Sequence, residues 1–128
     1  MHRLFFRPIL QQYVLDASVN GLYICVHAIG EDANRKSLDM FEHVSKTIKD
    51  AFAGAVNLDN NEGAQEDKDA VDFRFRIEHA QHIHPTDIGR FSSLGVIASM
   101  QMSHLADDGR WATDYIGKCI ISYMVSFC

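Results

Sequence analysis

Several things are scarce in this 128-residue chain, and each scarcity excludes something. Three cysteines, Cys25, Cys119 and Cys128, are an odd number with no Cys-x-x-Cys spacing. Neither a disulfide framework nor a zinc ribbon is indicated, and a reducing, cytoplasmic compartment is expected. Basic residues are outnumbered: 12 Lys and Arg against 17 Asp and Glu leave a formal charge of −5. Nucleic acid is therefore not expected as a partner, because phosphate binding needs a basic face. No apolar run approaches the roughly 20 residues that span a bilayer, so no membrane partner is expected. Arg3 and Arg7 sit among Leu4, Phe5, Phe6, Ile9 and Leu10 without an acid before Asp16. That pattern suits either a targeting segment or an amphipathic helix, but no small-residue cleavage site follows it.

What is present is ordinary for one compact domain: 47% hydrophobic and 23% charged residues support a core of normal size. Ile9, Leu10, Tyr13, Val14 and Ala17 recur at three- and four-residue spacings and predict a helix over 9–19. Asn20-Gly21 ends it. The unbroken apolar run Leu22-Tyr23-Ile24-Cys25-Val26 predicts a strand buried on both faces, with Cys25 in the core and His27 directly after it. Glu31 and Asp32 open a second helix, carried by Leu38, Phe41, Val44, Ile48 and Phe52 to about residue 53. Residues 54–71 are rich in Asn, Asp, Glu and Gly and read as an acidic loop insertion. Phe73 to Ile77 alternates as a second strand leading into Glu78-His79. Pro85 to Leu94 reads as a short helix capped by Gly95. Val96 to Met100 is a third strand, and Trp111 and Tyr115 suggest a last helical turn.

This alternation predicts an α/β fold with parallel strands joined by helical crossovers. Three strands leave edges open, so the chain is expected to be an incomplete domain, prone to self-association through those edges. Each strand ends in polar residues: His27, then Glu78-His79, then Gln101, Ser103 and His104. The C-terminal strand ends form the active face of such folds. Imidazoles at corresponding ends of strands about 4.8 Å apart can reach one metal ion.

Three segments carry a family resemblance. Val26-His27-Ala28-Ile29-Gly30-Glu31-Asp32-Ala33-Asn34 resembles the fifth-strand segment of the amidohydrolase superfamily, in the group that includes N-substituted formamide deformylase and the YtcJ-like proteins. Phe75-Arg76-Ile77-Glu78-His79-Ala80-Gln81-His82 resembles that group's sixth strand. Gly95 to Gln101 with Ser103-His104, then Asp107 to Trp111, resembles the seventh strand and its loop.

The resemblance implies part of a (β/α)8 TIM barrel. It also implies hydrolysis of a non-peptide carbon–nitrogen bond in a small amide-like substrate, by a water activated on a divalent metal, zinc being the expected one. It makes His27 and His79 metal ligands. Ser103 and His104 would bind substrate, as would Asp108, Arg110 and Trp111 if they form a lid over it; the alternative for those three is a surface ion pair. Glu78 would either orient a neighbouring group or pair with Arg76 or Arg74. The family's His-x-His pair and its eighth-strand acid have no counterpart here, which leaves the catalytic acid unassigned. Glu31 stands where aspartate is usual and Met102 where proline is common. Residues 118–128 form a divergent tail. The competing expectation is a non-catalytic chain: a truncated pseudoenzyme or an interaction protein.

Overall fold

A computed structural model describes residues 8–56 and 72–108. The first seven residues, most of the acidic insertion (57–71), Arg110, Trp111, Tyr115 and the tail 118–128 lie outside the described residues. Helix α1 spans Pro8–Val19, strand β1 Cys25–Ala28, helix α2 Glu31–Val56 and strand β2 Arg76–His79. Helix α3 spans Pro85–Leu94, strand β3 Ile97–Ser99 and helix α4 Met102–Asp108. The strands form one parallel sheet in the order β1-β2-β3.

Helix α2 covers the sheet. Its buried positions, Asn34, Ser37, Leu38, Met40, Phe41, Val44 and Ile48, recur mostly at three- and four-residue spacings and form one broad face. Phe41 stacks on Phe75 at 4.3 Å between ring centroids, and Phe73 continues the stack at 5.2 Å. Period-two alternation puts Ile77 on the same side as Phe75, and Ile77 is fully buried. Helix α3 packs beside α2. Ion pairs lock the two together: Arg90 reaches Asp39 and Glu42 of α2, while Asp87 accepts from Arg35 of α2 and from Arg90. Both crossover helices thus lie on one side of the sheet.

The opposite side is largely open. Register aligns Cys25, Arg76 and Ile97 in one row and His27, Glu78 and Ser99 in the next. None of the six is buried.

Several expectations are corrected. The first strand is not the run Leu22–Val26. Leu22 and Tyr23 are exposed, and pairing starts at Cys25. Cys25 is exposed rather than part of the core, because β1 has no second neighbour among the described residues and its outward row is uncovered. His27 lies within the strand, not after it. Helix α2 continues to Val56, past the start of the proposed insertion at residue 54. Phe52, expected on its buried stripe, is exposed because the helix extends beyond the sheet that covers its first turns. A helix unforeseen in the sequence, α4, follows β3 directly.

Helix α3 keeps its expected bounds. Pro85 opens it, and His84 caps it through Nδ1, which accepts from the Thr86 amide at 3.3 Å. Gly95 ends it at φ 64°, where the Val96 amide returns to the Phe91 carbonyl at 2.8 Å.

Candidate functional site

Parallel strands bring His27, Glu78, His79 and the start of α4 to one end of the sheet. In register His27 lies opposite Glu78, and Ala28 opposite His79. Regular alternation would turn His79 to the helix side with Ile77. His79 instead has φ 70° and Ala80 φ 44°, a backbone region that non-glycine residues rarely occupy. The break in alternation lets the His79 ring meet the His27 ring edge-on, with centroids 4.5 Å apart at 75°. On the far side His79 stacks on His104 of α4 at 5.2 Å and 17°. Three imidazoles therefore run in a row from β1 through β2 to α4.

A second group lies next to it. Ala80, Gln81, His82 and Ile83 are buried, and Asp108 of α4 is buried against them. The Gln81 amide donates to the Asp108 carboxylate. His82 Nε2 stands 3.7 Å from the same carboxylate. Burial pushes the His82 imidazole below its ordinary value of 6.5, against the pull of Asp108, and nearby His104 lowers it further. The Nδ1 atoms of His79, His82 and His104 are buried without a hydrogen-bond partner among the described residues.

Asn34 ties both groups to the sheet. Its side-chain amide lies within hydrogen-bond distance of the carbonyls of Ala28, Ile29, Gly30 and His82, at 3.0 to 3.4 Å. The His82 amide answers by donating to the Ile29 carbonyl at 2.9 Å. The loop after β1 is thereby clamped to the loop after β2. Sequence reading gave Asn34 no role. The signal available was a polar residue on the apolar stripe of α2, one turn after Gly30.

Each expected site residue has a definite place. His27 and His79 are in contact. Glu78 is tied along its own strand to Arg76. A bond from Ser99, with Arg76 beside it, holds the Glu78 carboxyl below its ordinary value. Arg76, not Arg74, is the arginine that Glu78 pairs with. His104 joins the imidazole row, Ser103 is exposed on α4, and Asp108 turns inward to Gln81. Arg110 and Trp111 lie outside the described residues.

The donor set does not fit the expected metal. A catalytic zinc takes three protein ligands and keeps a fourth position open. Among the described residues no group of three or more His, Cys, Asp or Glu side chains could hold a metal ion. The carboxylates nearest the histidines, Glu78 and Asp108, already accept from Arg76 and Gln81. No described helix is long and apolar enough to cross a membrane. A cavity of about 350 Å³ opens at the other end of the sheet, between Val19, Leu22, Tyr23, Ile48, Phe52 and Phe73. None of the expected site residues lines it.

This chain is similar to a plant protein. Over 109 residues it is 38% identical to protein LONG AFTER FAR-RED 3 of Arabidopsis thaliana. The aligned stretch covers 85% of this chain and 15% of that protein, so the chain spans a small part of its relative's length. No protein-family model matches the chain, and no solved structure does. These findings overturn membership of the amidohydrolase superfamily: no such family model matches, and the relative is named for far-red light rather than for a hydrolase. The hydrolase function and the assignment as an enzyme are corrected on the same ground. The zinc expectation is corrected by the donor geometry as well.

Proposed function

We propose that this chain is a non-catalytic interaction segment, and that its histidine row and buried Asp108 hold strands and helix together rather than perform chemistry. One observation carries the reading. The polar groups at the strand ends are spent on each other: Glu78 on Arg76, Asp108 on Gln81, and Asn34 on four carbonyls. No described carboxylate is left to act as a general base beside the imidazoles. The similarity to LONG AFTER FAR-RED 3 favours the same class of role, as a section of a larger protein.

The segment is a wedge of a closed (β/α)8 barrel in this reading. Strands in sequential order with both crossover helices on one side curl toward closure, whereas a doubly wound sheet carries helices on both faces. The open face with His27, Glu78 and Ser99 would then be the inward one. Alone, such a wedge offers the outer edges of β1 and β3 to another strand. The chain on its own is therefore expected to self-associate through those edges.

Light scattering after size exclusion, over a hundredfold range of concentration, tests this. Self-association weakened by Cys25→Lys, at the exposed start of the β1 edge, is the expected outcome. A monomer at every concentration would overturn the interaction reading. So would hydrolysis of an amide by the purified chain.

A further inference from the structure

We propose that α4 is held to the sheet by a proton-sensitive clamp, in which uncharged His82 is the docked form and its protonation releases the helix. Three observations converge on it. Helix α4 is anchored at its far end by Asp108, which is buried and accepts from Gln81. His82 is buried beside the same carboxylate, 3.7 Å away, too far for a hydrogen bond. Its other ring nitrogen, Nδ1, is buried without a partner among the described residues. A proton added to this ring would place a charge where, among the described residues, one nitrogen has no acceptor and the other has a distant one.

The surroundings give little compensation. From α4, His82 faces Asp108 and His104, one attracting and one repelling the charge. From α2 it meets Asn34, which is uncharged and occupies the His82 carbonyl. Neighbouring His84 turns to Glu31, 3.8 Å away, and to Thr86. When α4 leaves, His82 regains water and takes a proton readily. The docked form therefore binds the proton less tightly than the released form. Docking is at full strength above the exposed imidazole's value of 6.5 and is lost as pH falls from there toward the docked value. One proton is taken up, so the released-to-docked ratio rises by at most about tenfold per pH unit.

The test is an NMR titration of the 128-residue chain from about pH 7.5 to about pH 5, the range in which imidazoles ionise. Amide signals of α4 and of β2 are followed together with the His82 ring. The α4 amides should change with a midpoint below 6.5 that matches the His82 ring, while those of Arg76 to Glu78 hold. In His82→Gln the α4 change should vanish. In Asp108→Asn, which removes the attracting charge, the His82 midpoint should move further down. A His82 midpoint at or above 6.5 would sink the proposal. So would an α4 transition that persists in His82→Gln, or a midpoint that Asp108→Asn leaves in place.

Discussion

Asn34→Asp replaces one atom and keeps the shape of the side chain, yet it should be among the most damaging substitutions in the fold. The Asn34 side-chain nitrogen faces four carbonyl oxygens at 3.0, 3.2, 3.2 and 3.4 Å. Its two N–H groups can serve two of them well at any moment. An aspartate supplies no donor and sets a negative oxygen among four oxygens in a fully buried place. Two carbonyls left unsatisfied cost about 1–3 kcal/mol each, and the unpaired charge adds to that. A loss of roughly 3–5 kcal/mol follows, a large part of the 5–15 kcal/mol that holds a typical domain. Asn34→Ala should cost somewhat less, because it removes the donors without adding charge. Guanidinium unfolding followed by circular dichroism reads the difference directly. At acid pH the aspartate takes a proton, becomes a donor and should recover part of the loss. If Asn34→Asp unfolds within about 0.5 kcal/mol of the parent, the amide is not the clamp between the two loops.

Other substitutions test separate parts of the structure. Ile77→Ala, at a fully buried position in the central strand, should cost about 2–5 kcal/mol in the same unfolding assay. Arg90→Ala removes the guanidinium that three carboxylates share between α2 and α3. Burial works against that charge, but Asp39, Glu42 and Asp87 outweigh it and raise the group above its ordinary value. A loss of roughly 1–3 kcal/mol is expected in thermal melts, and retained stability would show that Arg35 suffices for Asp87. Gly95→Ala places a side chain at φ 64° and should cost about 1 kcal/mol, read as a lower melting temperature. Glu78, whose carboxyl is held low by Ser99 and Arg76, contributes stability above its ordinary value of 4.5 that is lost as pH falls through the lower folded value. A melting temperature less acid-sensitive in Glu78→Gln than in the parent would confirm this, and identical acid profiles would refute it.

Much of the architecture was legible because it rests on local rules. The spacing of Leu38, Phe41, Val44 and Ile48 marks a helix face wherever that helix ends up. Pro85 and Gly95 bound α3 through backbone constraints that need no tertiary partner. Order and type of the elements through β3, and hence a parallel sheet, follow from that alone. The strand ends were harder. An apolar run such as Leu22–Val26 signals burial, but which of its residues are covered depends on how far α1 and α2 reach over them.

The site depended on tertiary structure almost entirely. Sequence put histidines after strands, but it could not show that φ 70° at His79 turns the ring toward His27. Nor could it show that Glu78 is engaged by Arg76, or that Asp108 turns inward to Gln81. Those partners lie anywhere from 2 to 52 residues apart, and side chains choose among competing partners by distance in space. The sequence by itself determined which stretches coil and which extend, because helix and strand periods are set by the backbone and the water around it. The tertiary structure alone decided what the polar residues do. Hydrogen bonds and charge are satisfied by whatever the fold brings within about 3 Å, and that proximity is not written in the order of residues.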